Sequence, residues 1–160
     1  MKKLCKAAVV AALMPSIFAA SLPAATAAQT VDIQRIRQTV TRQARANHLA
    51  VNWKGGQSVT GDVAGIGQVT ALSFGVEPTD GGNWWSDSVQ VFWANGHSDQ
   101  VGTKGVQQMV IKDNLLYVRS LEQGDNDPGC CPTTIQLTAY RIQSGKLVAV
   151  SSKVVGHQSS

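Results

Sequence analysis

The chain has 160 residues, with 14 Lys and Arg against 10 Asp and Glu and a formal net charge of +4. Its length suits one domain with a core of its own, and its three cysteines are too few for a disulfide scaffold, so packing must hold the fold. Lys2, Lys3 and Lys6 belong to an N-terminal leader, and without them the chain is close to neutral, which gives no reason to expect a nucleic-acid partner.

The leader runs from those lysines through an apolar stretch, Ala7 to Ala20, to the small residues Ala24-Ala25-Thr26-Ala27-Ala28. That order is the one of a secretory signal, with cleavage expected after Ala27 or Ala28. The apolar run is short for a bilayer span and no stop-transfer segment follows it, so no transmembrane segment is expected. Residues 1–28 are therefore read as a signal peptide and 29–160 as a single domain, periplasmic or secreted. Cys5 precedes the apolar run and would leave with the leader.

From Gln29 to Ala50 the pattern is helical, with Ile33, Ile36, Val40 and Ala44 on one face. Thr30 is the expected N-cap, and Arg42 and Arg45 near the end suit the helix dipole. The other face carries Arg35, Arg37, Arg42 and Arg45. A solvated helix face is the expected reading, and contact with anionic envelope polymers or lipid is the alternative.

Beyond Val51, short runs rich in Val, Ile, Thr and aromatics alternate with Gly, Asn, Asp and Ser turns. The expected strands are Ser58–Asp62, Gln68–Glu77, Trp85–Ala94, Gly105–Lys112, Leu115–Glu122, Thr133–Gln143 and Lys146–Val154. Asp113-Asn114 and Ser144-Gly145 are hairpin turns. The fold class that follows is α+β, an N-terminal amphipathic helix packed on a twisted antiparallel meander of about six or seven strands. In the strand from Trp85, alternation puts Trp85, Val89, Val91 and Trp93 toward the core and Ser86, Ser88, Gln90 and Phe92 on the other face. Asp87 interrupts the core face and must be near an edge or paired. Trp84 points away from Trp85, so Trp84 and Phe92 form the candidate partner-binding surface unless the helix covers them.

No complete catalytic constellation is present, and the chain is read as a non-enzyme. Asn95-Gly96-His97-Ser98-Asp99 reads as a polar hairpin loop, since a triad is defined by spatial geometry and not by local order. An envelope hydrolase using Asp87, His97 or Asp99 is the alternative. Gly61-Asp62-Val63-Ala64-Gly65-Ile66-Gly67 has the glycine frame of a calcium loop, but calcium takes about six to eight oxygens, and Ala64 and Ile66 stand where ligands are needed. A Gly-rich turn is expected instead. Asp125 and Asp127 read as turn formers, with a weakly held cation as the alternative. His48, His97 and His157 show no zinc spacing with the cysteines, so no metal and no cofactor is expected.

Cys130 and Cys131 sit in the turn Asp127-Pro128-Gly129-Cys130-Cys131-Pro132 and are the only cysteines after the leader. In an oxidising compartment such a pair bonds to itself or to something else. Adjacent Cα atoms lie about 3.8 Å apart, short of the usual disulfide range, and a ring this small adds little chain-entropy stabilisation. A Cys130–Cys131 bridge that locks the turn is the expected form, with a labile bridge, an intermolecular bond or free thiols as the alternatives.

This turn, the Gly61-Asp62 loop and the Gly81-Gly82-Asn83-Trp84-Trp85-Ser86-Asp87-Ser88-Val89 stretch occur in an order that resembles the small exported bacterial proteins grouped as LppP/LprE-like, over about Val59 to Val150. The Cys-Cys-Pro turn is the specific part of the resemblance. A lipidated cysteine found in members named as lipoproteins is missing, and the acidic loop is degraded. The resemblance implies an envelope or secreted protein without established chemistry. The expected function is non-catalytic binding of an envelope protein or polymer, as an accessory, inhibitor or immunity-type protein. A purely structural envelope role is the further alternative.

Overall fold

The computed structural model describes residues 32–158 apart from 83, 125–126, 128–130 and 144. The leader, Thr30, Cys130 and Asp125 therefore lie outside the described residues.

The helix α1 spans Ile33–Ala46 and is shorter than its pattern predicts. Its N-cap is Asp32 and not Thr30: the Asp32 carboxylate accepts the backbone N–H groups of Gln34 at 3.0 Å and Arg35 at 3.2 Å, which have no partner inside the first turn. At the other end the Asn47 N–H reaches back to the Ala44 carbonyl at 2.9 Å, and His48 turns into the left-handed region at φ 57°. The chain after that break is extended, so Leu49 and Ala50, expected to close the helix, instead open β1 (Leu49–Asn52).

Seven further strands follow: β2 (Ser58–Val63), β3 (Gly67–Pro78), β4 (Ser86–Trp93), β5 (Ser98–Lys112), β6 (Leu115–Glu122), β7 (Thr134–Gln143) and β8 (Lys146–His157). The sheet thus has eight strands where about six or seven were expected. It is antiparallel throughout, in the order β1-β3-β4-β5-β6-β7-β8, with β2 also on β3. One edge of β3 carries both short strands, β2 along its first half and β1 along its second. Asp113 and Asn114 both take positive φ, as a two-residue hairpin of the expected kind requires.

β5 is longer than expected because its first half, Ser98 to Thr103, pairs with β4, while its second half pairs with β6. Its ladder breaks between Lys104 and Gln108. Gly105 takes φ 50° there, and a Cβ on it would come within 2.7 Å of the Leu121 side chain, so only glycine fits the break. The sheet curls so that β2 lies over the far half of β5. The Gln57 side chain reaches the Gln107 carbonyl at 2.8 Å, and a Cβ on Gly61 would sit 2.7 Å from Ile111.

One core fills the inside of this curl, built on Val69, Ala71, Val89, Val91, Trp93, Leu116, Val118 and Ile142. The opposite face of β3 and β4 is covered by α1: Ile36 and Val40 pack on Leu72 and Phe74, with Val51, Trp53 and Phe92 around them. A 3.6-residue period on the helix therefore meets a two-residue period on the sheet.

The helix contact should dominate stability over the helix cap. Leu72→Ala, at a fully buried site, is expected to cost about 2–5 kcal/mol, and Asp32→Ala only about 0.5–2 kcal/mol. Urea unfolding of both variants, followed by circular dichroism, checks the order.

Candidate functional site

The three polar residues of the hydrolase alternative do not converge. Asp87 lies on the core side of β4 at its start, where its Oδ2 accepts the Val106 N–H at 3.1 Å and so satisfies an amide freed by the break in β5. It is paired, as a carboxylate on that face must be. Asp99 sits opposite Val91, four residues along the ladder from Asp87, which is about 13 Å at the strand rise. Its Oδ2 accepts the Leu147 N–H of β8 at 2.7 Å. His97 is exposed in the β4–β5 turn, where its N–H donates to Asn95 Oδ1 at 3.1 Å and its carbonyl accepts the Trp93 N–H at 3.0 Å. A small cavity of about 170 Å³ is lined by Asp87 with Lys54, Gly56, Ser73, Gly75 and Val106, and neither His97 nor Asp99 reaches it.

The aromatic surface differs from its expected form in two ways. β4 begins at Ser86, so Trp85 precedes the strand and does not enter the core; Trp84 and Trp85 are each 51% exposed. The cause is that the β3 ladder ends at the Val76–Ser86 pair, and the chain between the strands turns through Gly81 at φ 87°. Alternation thus starts later than the apolar pattern implies. Phe92 does lie on the face opposite Trp93, but α1 covers that face, and Phe92 packs half-buried against the helix cluster. It is six residues beyond Ser86, about 20 Å along the strand, and belongs to a packed layer instead of a partner surface shared with Trp84. The loop holding the two tryptophans is tied to the end of the helix, since Thr79 donates through its N–H at 2.9 Å and its hydroxyl at 3.0 Å to the His48 carbonyl.

The Gly61–Gly67 stretch is a tight link between β2 and β3. Asp62 belongs to β2, the Ile66 N–H closes the turn on the Val63 carbonyl at 3.0 Å, and Gly65 and Gly67 take positive φ. No group of three or more His, Cys, Asp or Glu arranged to hold a metal occurs among the described residues.

Asp127 ties residues on the two sides of the cysteines to one carboxylate, Gly124 before them and Thr133 after. Its carboxylate accepts the Gly124 N–H at 2.8 Å, the Thr133 N–H at 2.6 Å and the Thr133 hydroxyl at 2.5 Å. These bonds, the Thr133 hydroxyl foremost, hold its pKa well below the usual carboxylate value, at about 2. Its oxygens are engaged by the donors of Gly124 and Thr133. Cys130 lies outside the described residues, and its bond to Cys131 belongs to the proposal below.

Sequence reasoning missed Trp53, which follows β1 and faces the arginines of α1. With the helix read on to Ala50 and β1 not foreseen, nothing in the sequence brings Trp53 back beside it. Among the described residues no helix is long and apolar enough to cross a membrane. Comparison with protein-family models, curated proteins and solved structures gave no match.

Asp127 yields a pH test. Because its pKa is lower in the folded chain, its contribution is complete above the unfolded value of 3.8 and is lost as pH falls toward about 2. Asp127→Ala should therefore be less stable than the parent at pH 6, with the gap closing between pH 3.8 and about 2. Thermal unfolding of both proteins across that range reads the gap.

Proposed function

We propose that the protein is an exported, non-catalytic binding protein that captures an envelope protein or polymer through the loop carrying Trp84 and Trp85. The observation that carries this reading is the pair of half-exposed indoles, consecutive in the chain, on a loop anchored at the end of α1. Large, rigid, amphipathic side chains of this kind are the usual anchors of partner surfaces. The separation of Asp87, His97 and Asp99, with both carboxylates engaged by backbone N–H groups, supports binding over turnover. The leader and the Cys-Cys-Pro turn support export, and the resemblance to LppP/LprE-like proteins rests on the order of these motifs.

Trp84→Ala and Trp85→Ala should each keep the parent circular dichroism and weaken capture of the partner from envelope extract by ~1–4 kcal/mol. Undiminished capture by the folded double variant removes this loop as the site. Hydrolysis of an envelope substrate, abolished by His97→Ala in folded protein, would replace the binding reading by the enzymatic one.

Export and the cysteine bridge are tested together on protein recovered from the periplasm or medium. Its intact mass should correspond to a start at Ala28 or Gln29, with Cys130 and Cys131 joined to each other. Alkylation before reduction should then label neither cysteine. A retained leader, an acyl increment, two labelled thiols or a disulfide-linked dimer would each refute the corresponding part.

A further inference from the structure

A second binding surface lies on α1, away from the tryptophan loop. The outward side of the helix and Trp53 enclose an open cleft of about 600 Å³, lined chiefly by Arg37, Gln38, Thr41, Arg42, Arg45 and Trp53. Its wall is fixed. The Trp53 ring meets Phe74 at 5.1 Å between centroids, its Nε1–H points to the Thr41 hydroxyl at 3.4 Å, and the Arg37 guanidinium lies 5.2 Å from the ring centre.

The charge on this wall is uncompensated. The segment Ile33–Ala46 contains four arginines, no lysine and no acid, and apart from the N-cap Asp32 beside Arg35 no carboxylate stands one turn along the helix from them. Among the described residues no ion pair or side-chain hydrogen bond engages Arg37, Arg42 or Arg45, and Arg37 Nε is buried without an acceptor. Solvated helix faces commonly mix both signs of charge, whereas this one offers guanidinium groups alone. Arginine without lysine is the choice that suits bidentate contact with anionic oxygens.

We infer that this cleft binds a slim linear polyanion, a base-free phosphodiester chain of the poly(glycerol phosphate) kind. Charge complementarity selects an anion, and the rest of the wall narrows the class. Arg37 lies over the Trp53 ring and Phe74 packs against it at a 49° tilt, so a nucleobase or sugar ring would have to compete with these contacts to stack on the indole. The exposed large apolar side chains, Trp84, Trp85, Val110 and the valines of β8, lie outside the cleft lining, so a bilayer would meet charge without an apolar anchor. Side chains one helical turn apart are about 5–6 Å from each other, a spacing that successive phosphates on a short linker can match.

The test uses the mature protein and a fluorescently labelled poly(glycerol phosphate) oligomer, with anisotropy as the readout. The parent should bind, and binding should weaken steeply with added salt. Arg42→Glu with Arg45→Glu, both on the exposed face, should lower affinity at least about tenfold with unchanged circular dichroism, as expected for losing charge-assisted bonds. Trp84→Ala should bind the oligomer as the parent does, which separates this site from the tryptophan loop. No binding by the parent at low salt, or equal binding by the double variant, overturns the inference. So does equal or tighter binding of single-stranded DNA of the same charge or of anionic phospholipid vesicles.

Discussion

The fold depends on the break in β5. A strand that serves two neighbours must change register between them, and here the change falls at Gly105, where the backbone takes φ 50° and Leu121 leaves no room for a side chain. The break strands an amide, and Asp87 across the sheet accepts it through Val106. An unmet amide at that point would cost about 1–3 kcal/mol. With it satisfied, the first half of β5 stays paired with β4, the second half pairs with β6 and leads on to β7 and β8, and one core forms inside the bend. Asp87, one of the residues of the hydrolase alternative, thus serves as an acceptor within the sheet.

The same use of carboxylates recurs along the chain. Asp32 caps α1, Asp80 accepts Gly82, Asp99 links β5 to β8, and Asp127 joins Gly124 to Thr133. Glu122 accepts the hydroxyls of Thr103 and Ser120. Each of these acids is engaged by a neutral donor, so none is committed to an arginine. Surface ion pairs are worth little to stability, whereas an acceptor for an otherwise unmet N–H fixes a turn or a register. The near balance of charge beyond residue 28 thus conceals a separation in space, with these acids engaged by neutral donors and four of the six arginines collected on one helix.

How much of this could be read from the sequence depended on whether the signal was local. The buried face of α1, Ile36, Val40 and Ala44, follows from periodicity alone, and β6 has the limits its apolar pattern predicts. The Asp113-Asn114 turn was legible because two positive φ angles need such residues. What failed depended on distant pairing. β1 is only four residues long and exists because β3 offers it an edge. The polar start of β5, Ser98-Asp99-Gln100, is a strand because β4 pairs with it and Leu147 engages Asp99. Trp85 was placed in the core because its apolar character extends the β4 pattern, yet the ladder on β3 ends before it. The arginine face was visible in the sequence, but the Trp53 that shapes it was not.

Docking of the helix and the form of its outer face are one event. The apolar side of α1 is used up on Leu72 and Phe74, so the arginines are necessarily outward, and a bilayer cannot claim the apolar side without unfolding the layer. Trp53 belongs to both sides of this arrangement, since it packs on Phe74 within the helix cluster and carries Arg37 and Thr41 on its ring and nitrogen. Arg37 is therefore ordered before any ligand arrives. Holding a long side chain in place costs about 0.5–1.5 kcal/mol when binding must do it, and here packing has already met that cost for one guanidinium. A contact that stabilises the fold thus also prepares the charged cleft.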